Sequence, residues 1–229
     1  GLQAQHFNSP VADTAKLVPA GSDLIFQLHY TTNGKAASDQ TKVGLVFATS
    51  PPKYRHLTAN ATQRNLEIPP NEPNYESRSA AIVNTPAQLV WLMPHMHVRG
   101  KDFQYQAVYS NGETEMLLKV PHYNFNWQIG YEEAKPILLP AGTRIECTAH
   151  HDNSVNNAAN PNPNVTVRWG DQTWEEMMMG FFAVVVDAGA HVGAFTLRAA
   201  QLVGESGRVE AFECDPRALE QLRRNVETN

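Results

Sequence analysis

The sequence is poor in several features that would each point to a class of protein. Only two of its 229 residues are cysteines, so at most one disulfide can form within the chain. Its 18 lysines and arginines, set against 23 acids, form no basic run, which argues against a nucleic-acid partner. The longest apolar run, around residues 180–186, is strand-sized and much shorter than the roughly 18 residues of a membrane span.

The remaining composition is that of a globular chain, with 42% hydrophobic and 18% charged residues and a net charge of −5. The use of several residue types changes near residue 184, however. All seven lysines, all four tryptophans, eight of nine histidines and fourteen of fifteen prolines precede that point. We therefore expect two pieces of different origin. Because residue 1 is Gly and no signal peptide precedes it, we also expect the true N-terminus to lie upstream.

The larger piece has the pattern of a β-sandwich. Short apolar runs alternate with turn residues, and no helical periodicity occurs before residue 190. The Asn/Pro-rich stretch 153–164 predicts a loop, and Asn111-Gly112 predicts a hairpin between two of the runs. The runs predict strands over residues 24–30, 43–47, 88–93, 103–109, 114–118, 144–150, 165–169 and 177–186.

The last residues follow a different pattern. The apolar residues 184–186 precede a glycine-rich turn, an apolar-periodic helix over 194–203 and a second strand over 208–213. Pro216 stands where proline commonly begins a helix, which predicts a further helix over 217–226. This order predicts a short β-α-β-α, Rossmann-like fragment.

Pro94-His95-Met96-His97 is the sharpest motif. Alternate residues of a strand share a face, so His95 and His97 can converge on one ion while Met96 points away. Met177 to Met179 follow two glutamates on a later strand, and a thioether joined to two imidazoles suits a copper that changes oxidation state. The competing interpretation is ordinary: an H-x-H pair of surface histidines and methionines that fill a core.

Four segments, taken in order, resemble the C-terminal half of copper type II, ascorbate-dependent monooxygenases, relatives of peptidylglycine alpha-hydroxylating and dopamine beta-monooxygenases. The resemblance covers about residues 17–186. It rests on Leu28-His29-Tyr30, Pro94 to Lys101, Ile145-Glu146-Cys147 and Trp169 to Met177.

The resemblance implies a jelly-roll sandwich, occupying residues 1–186 with 1–23 as a leading segment, and a copper that hydroxylates a substrate C–H with O₂. By motif match, the ligands of that copper are His95, His97 and Met177. His29 matches one ligand of a second, electron-relay copper, whose other ligands belong to an upstream copper domain. An external reductant such as ascorbate, a small-molecule or peptide-like substrate, and a secreted or periplasmic location are further implied.

Several positions depart from the family pattern. Met93, Met179 and Phe181 stand where the peptide-amidating members carry substrate-binding polar residues, which predicts an apolar pocket. Met178 replaces a cysteine that is disulfide-bonded in the family, so Cys147 is expected to be unpaired. His150-His151 does not substitute for the relay pair, because adjacent strand residues face opposite sides.

Residues 184–229 resemble the start of FkbM-type S-adenosylmethionine methyltransferases. The glycine-rich turn Asp187-Ala188-Gly189-Ala190-His191-Val192-Gly193 matches the first motif of that family. The resemblance implies that Asp187, Gly189 and Gly193 bind S-adenosylmethionine and that Glu213 accepts its ribose hydroxyls. Only the start of that fold is present, so no activity is expected from residues 187–229. The string 184–187 fits both families, which indicates a truncated fusion or a gene-model artefact.

The function predicted from the sequence is therefore a copper-dependent monooxygenase domain, with little turnover expected without the relay copper. One alternative is a copper-holding or purely structural sandwich that never reacts. Another is a cupin-type metal protein, because Asp102 follows His95 and His97 at a spacing close to the cupin pattern.

Overall fold

The computed structural model describes residues 5–8, 10–30, 32–187 and 223–224. Up to residue 187, this part of the chain is built from strands joined by turns and loops, without a helix. The strands are β1 (Thr14–Ala15), β2 (Tyr54–Thr62), β3 (Glu67–Ile68), β4 (Tyr75–Val83), β5 (Ala87–Met96), β6 (Gly100–Val108), β7 (Thr114–Val120), β8 (Tyr131–Leu139), β9 (Thr143–His151), β10 (Val167–Arg168) and β11 (Met178–Asp187).

The long strands form two sheets that enclose one core, which confirms the predicted β-sandwich. One sheet has the order β1-β2-β11-β5-β8 and the other β4-β9-β6-β7, while β10 pairs with β3 apart from both. Every pairing is antiparallel except that of β1 with β2. Setting the short β1 aside, each sheet has four strands, and consecutive strands repeatedly cross between them. This is jelly-roll connectivity.

The core forms because apolar residues alternate along the strands of both sheets. On β9, for example, Ile145, Cys147 and Ala149 are fully buried, while the residues between them are not. Gly180 on β11 lets the sheets approach closely, because a Cβ there would collide with Sγ of Cys147 and lie 2.9 Å from the Tyr105 ring. Each large apolar side chain buried here contributes about 1.5–3 kcal/mol.

Most of the predicted strands are present, but three long strands and the two-residue β1 and β3 were missed. Residues 88–93, 103–109, 114–118, 144–150, 165–169 and 177–186 each contain or overlap an observed strand, and the predicted hairpin joins β6 to β7. The three missed long strands are β2, β4 and β8, whose sequences are rich in polar residues on the face turned to solvent. Because so many of their positions are polar, these three strands lack the long apolar run that marked the other strands in the sequence.

The predicted strands over residues 24–30 and 43–47 were wrong for this chain. Both segments belong to no sheet, and their apolar side chains are exposed, with Ile25 at 93% and Val46 at 100%. A strand needs a neighbour to accept and donate its backbone hydrogen bonds. Neither segment pairs with another strand in the part of the chain that the structure describes.

The C-terminal prediction falls mainly outside the described residues. Asp187 is the exposed last residue of β11, paired with Tyr54 of β2. Gly189, Gly193 and Glu213 lie outside the described residues, so the Rossmann-like fragment stays a prediction. Within the described ranges, no helix is long and apolar enough to cross a membrane.

Candidate metal centre

His95 and His97 lie at the end of β5 and share one face. Their ring centroids are 5.4 Å apart in an edge-on arrangement, with an angle of 83° between the ring planes. Met96, between them, is fully buried in the core. The structure therefore brings the two imidazoles together on the face opposite Met96, as strand alternation predicts; that they bind one ion stays a prediction.

Strand β11 runs antiparallel beside this end of β5. Met178 pairs with Met96 in the core, and Met179 pairs with His95 on the outer face. The ladder ends there, so Met177 and His97 are the first residues beyond it on the two chains. Extending the alternation of β11 by one residue would put Met177 on the face of Met179 and the two histidines. The register thus places Met177 at the same end of the sheet as the imidazoles.

The Nδ1 atom of each histidine ring has a hydrogen-bond acceptor. Nδ1 of His95 donates to Oε1 of Gln128 at 2.6 Å, and Nδ1 of His97 donates to the carbonyl oxygen of Glu175 at 3.2 Å. The amide nitrogen of Gln128 donates in turn to the carbonyl of Phe125 at 2.8 Å, which fixes the orientation of the amide. With its proton on Nδ1, each ring presents the lone pair of Nε2.

Electrostatics keep both rings neutral. Burial lowers the pKa of His95, although the hydrogen bond to Gln128 opposes this and the charge of His29 adds to it. Burial also lowers the pKa of His97, opposed by the carbonyl of Glu175 and reinforced by His95. Both imidazoles are therefore uncharged at neutral pH, which is the form that binds a metal.

The chain between β7 and β8 covers this face. It supplies Gln128, and the ring of Phe125 stands edge-on to His97 at 6.0 Å. Tyr123, in the same stretch, accepts a hydrogen bond from the backbone N–H of Met96 at 3.0 Å and donates one to its carbonyl at 2.7 Å. The sequence reasoning missed these residues, because an irregular loop has no periodicity and only the fold brings it to β5.

A buried carboxylate lies behind the centre. Glu176 is fully buried and accepts hydrogen bonds from the backbone N–H groups of His97, Met177 and Arg99. Burial raises the pKa of Glu176 to about 7, although these donors and the charge of Arg99 act in the opposite direction. The sequence shows a pair of glutamates before Met177 but does not show that the second is internal.

The surroundings of the histidines are apolar, as the sequence predicts. Met93 pairs with Phe181 across the β5–β11 ladder, and Met179 pairs with His95. The ring of Phe181 is 6.5 Å from that of His95. All three apolar side chains are half-buried, so part of each is accessible from this face.

His29 lies apart from any sheet, in the exposed segment that precedes β2. It is near enough for its charge to lower the pKa of His95. The backbone of His29 has no strand partner in the described ranges.

The adjacent His150 and His151 face opposite sides of β9, as expected. His151 is fully buried, 3.0 Å from Oγ of Ser77, and burial lowers its pKa to about 3. His150 is half-buried and its Nδ1 lies 2.7 Å from Oδ1 of Asp102. Asp102 is thus engaged on the other sheet and does not join His95 and His97, which removes the geometric basis of the cupin alternative.

Cys147 is a free thiol, fully buried in the core. Met178, at the position of the family's disulfide partner, is fully buried, and its sulfur accepts a hydrogen bond from Oγ of Ser79 at 3.2 Å. Burial raises the pKa of the Cys147 thiol. A structural rather than reactive role follows, because a buried protonated thiol is a poor nucleophile.

No group of three or more His, Cys, Asp or Glu side chains suited to a metal ion occurs among the described residues. The two imidazoles of His95 and His97 are thus joined by Met177 as a third ligand only through the motif match.

Comparison with known proteins adds only distant structural similarity. No protein-family model and no curated protein matches the chain. One structural match is the family 32 carbohydrate-binding module from Streptococcus pneumoniae EndoD, at 16% identity and a TM-score of 0.25, covering 46% of this chain and 73% of the module. Another is a structure of infectious bursal disease virus, Gt strain, at 11% identity and a TM-score of 0.32, covering 82% of this chain and 51% of the viral chain. Similarity this weak carries no information about function.

Proposed function

We propose that this chain contains a copper-dependent monooxygenase domain whose metal is held by His95, His97 and Met177. The observation that supports it best is that the rings of His95 and His97 lie 5.4 Å apart, each with Nδ1 hydrogen-bonded to an oxygen, because these bonds leave Nε2 as the nitrogen with which each ring would bind a metal.

The donor set is that of copper rather than of a harder metal. Neutral imidazoles bind both oxidation states of copper, and a thioether favours Cu(I). Copper bound there would supply activation of O₂ for hydroxylation of a substrate C–H. The balanced reaction consumes O₂, two electrons and two protons and yields the alcohol and water, so an external reductant such as ascorbate has to supply the electrons.

The residues of this chain would orient the ligands and shape the substrate site. Gln128 and the carbonyl of Glu175 hold the rings, and Phe125 shields His97 from water. Met93, Met179 and Phe181 offer a substrate an apolar surface beside His95, without a cation among them to bind a carboxylate. We propose a neutral, apolar C–H substrate rather than a peptide with a free carboxyl end.

The proposal includes a partner. The position of His29 near His95, in a segment with exposed apolar side chains, fits a relay ligand that an upstream copper domain would complete. We also propose an extracytoplasmic, oxidising location, because the chemistry that the family resemblance implies uses O₂ and an external reductant. For residues 187–229 we propose a methyltransferase fragment without activity, a prediction that methyl transfer from S-adenosylmethionine by this chain would overturn.

The second candidate is a copper-holding sandwich without turnover. It is favoured by the opposite orientations of His150 and His151, since the described residues then offer no second pair of histidines converging on a relay copper. Such a module would bind copper at the same three residues and consume no oxygen.

Electron paramagnetic resonance of the Cu(II)-loaded chain tests the centre. We expect one type II signal per chain, lost in His95→Ala and unchanged in His150→Ala, a matched histidine of the other sheet. A wild-type signal that survives His95→Ala would overturn the copper assignment. Because little turnover is expected without the relay copper, product analysis at the level of a single turnover separates the two candidates: with O₂, ascorbate and a neutral alkylaromatic hydrocarbon, the Cu(I)-loaded chain should release up to one equivalent of the alcohol only if it is the monooxygenase.

A further inference from the structure

We infer that Glu176 is a positioning residue: its carboxylate joins the backbones of His97 and Met177 and so sets the separation of two ligands that come from different strands. The inference rests on the proposed copper site and goes beyond it, because it assigns the geometry of the centre to a side chain that would not touch the metal.

The hydrogen bonds of Glu176 carry the argument. A single oxygen, Oε1, accepts the backbone N–H of His97 and, at 2.9 Å, the backbone N–H of Met177. The other oxygen, Oε2, accepts the backbone N–H of Arg99 at 3.0 Å. His97 and Arg99 follow β5, whereas Met177 precedes β11. The carboxylate therefore bridges the two chains at the point where their ladder has ended.

This bridge replaces the ladder at its open end. Beyond Met178 and Met96 the two strands no longer pair, so nothing in the sheet itself holds Met177 beside His97. Two backbone nitrogens that share one acceptor atom cannot separate without breaking a bond to it. Because Glu176 is fully buried, water cannot replace a lost partner, and each broken bond leaves an unsatisfied group.

Arg99 anchors the same bridge from its other side. Its Nη1 donates to the carbonyl of Trp174 at 2.8 Å, and its Nε donates to Oδ1 of Asn153 at 2.9 Å. The turn that leads into Glu176 is thus tied to Arg99 twice, because Arg99 donates from its guanidinium to the carbonyl of Trp174 and from its backbone N–H to the carboxylate of Glu176. The carboxylate has little freedom to shift, so its distance to both ligand backbones is set before any metal binds.

Glu176→Gln is the informative substitution, because it keeps the volume and removes one acceptor. An amide has one oxygen, and its NH₂ group cannot accept the remaining backbone N–H. Either Arg99 or the His97–Met177 pair loses its partner. Glu146→Gln is the matched control: that side chain is half-buried on β9 of the other sheet and pairs with Arg144.

The experiment is X-ray absorption of the Cu(I)-loaded chain together with Cu(I) affinity by competition. In the wild type we expect a sulfur scatterer, absent in Met177→Ala. In Glu176→Gln we expect the sulfur contribution to be weakened or lost and the affinity to fall about 10- to 100-fold, with both unchanged in Glu146→Gln. Glu176→Asp, with a shorter carboxylate, should fall between the wild type and the amide.

The outcomes separate the inference from the site on which it rests. Wild-type protein without copper or without a sulfur scatterer ends the proposed centre. A wild-type sulfur signal that is equally strong in Glu176→Gln ends the positioning role instead. Amide hydrogen exchange of the unmodified, metal-free chain decides the matter if the variant does not fold: the amides of His97, Arg99 and Met177 should all exchange slowly, and rapid exchange at His97 or Met177 overturns the inference.

Discussion

Oε1 of Gln128 lies 2.6 Å from Nδ1 of His95, although the two residues are 33 positions apart in the chain. The contact joins an irregular loop to the C-terminal end of β5. It also determines which ring nitrogen of His95 is free. Outer hydrogen bonds of this kind orient metal ligands and account for part of their affinity.

Gln128→Leu should weaken copper binding without unfolding the chain. The substitution removes the acceptor for Nδ1 of His95, so the ring loses its fixed orientation and tautomer. We expect the copper affinity to fall about 10- to 100-fold, measured by competition with a chelator. Gln88→Leu, another half-buried glutamine on β5, is the control and should leave the affinity unchanged. Equal affinities in the two variants would contradict a role for Gln128.

The three consecutive methionines should respond differently to truncation. Met177→Ala removes the proposed thioether ligand, so Cu(I) affinity should fall while the two imidazoles still hold Cu(II). Met179→Ala removes an apolar neighbour of His95 and should leave Cu(I) affinity nearly intact. Met178→Ala deletes a fully buried core side chain and should instead destabilise the fold by about 2–5 kcal/mol. Titration with Cu(I) and urea unfolding separate these effects; a larger loss of Cu(I) affinity in Met179→Ala than in Met177→Ala would reassign the ligand.

Gly180→Ala should destabilise the sandwich by about 1–3 kcal/mol, the usual cost of overpacking a core. The added methyl group would collide with Sγ of Cys147 and press on the ring of Tyr105. Cys147→Ala removes the first obstacle, so the double variant should lose less stability than the sum of the single ones. Urea unfolding measures all four proteins, and strictly additive effects would show that the two residues do not compete for space.

Acid should destabilise the chain partly through His151. Burial lowers its pKa to about 3, with His150 and Arg99 adding to the effect, whereas an unfolded histidine titrates near its ordinary value of about 6.5. Between these values the unfolded chain takes up a proton that the folded chain does not. The free energy of unfolding should therefore fall as the pH drops below about 6.5, by up to about 1.4 kcal/mol per pH unit.

His151→Gln tests this assignment, since glutamine does not titrate. Its unfolding free energy should depend less on pH between 6.5 and 4.5 than that of the wild type, when both are measured by urea unfolding at matched salt. The neighbouring, half-buried His150 provides the control substitution His150→Gln. An unchanged slope in His151→Gln would place the acid sensitivity elsewhere.

The segment before β2 should be the preferred site of proteolysis. Phe26 and Phe47 are 48% and 78% exposed and lie outside both sheets, so a chymotryptic site there needs no unfolding of the sandwich. Brief digestion followed by mass spectrometry should give a fragment that begins after Phe26 or Phe47 and retains β2 to β11. First cleavage at core residues such as Phe103 or Phe182 would be inconsistent with this arrangement.

The sequence was informative where burial produces a strong alternation. On β5 and β9 one face is almost wholly internal, so the apolar period of two is clear, and the convergence of His95 and His97 followed from it. It was less informative for β2, β4 and β8, where polar residues occupy many positions. It was misleading for residues 24–30 and 43–47, because an apolar run indicates a strand only when another strand is available to pair with it.

The candidate centre divides in the same way. The H-x-H pair could be identified from local spacing, since strand geometry puts alternate side chains on one face, whereas Met177 was singled out by the family resemblance. Gln128, Phe125 and the internal position of Glu176 depend on residues far away in the chain, and no local pattern specifies them. The sequence by itself determined a β-sandwich and which residues could bind a metal. Only the tertiary structure decided which ring nitrogens are free and which carboxylate is internal, because both depend on hydrogen bonds between segments that meet only when the two sheets have packed.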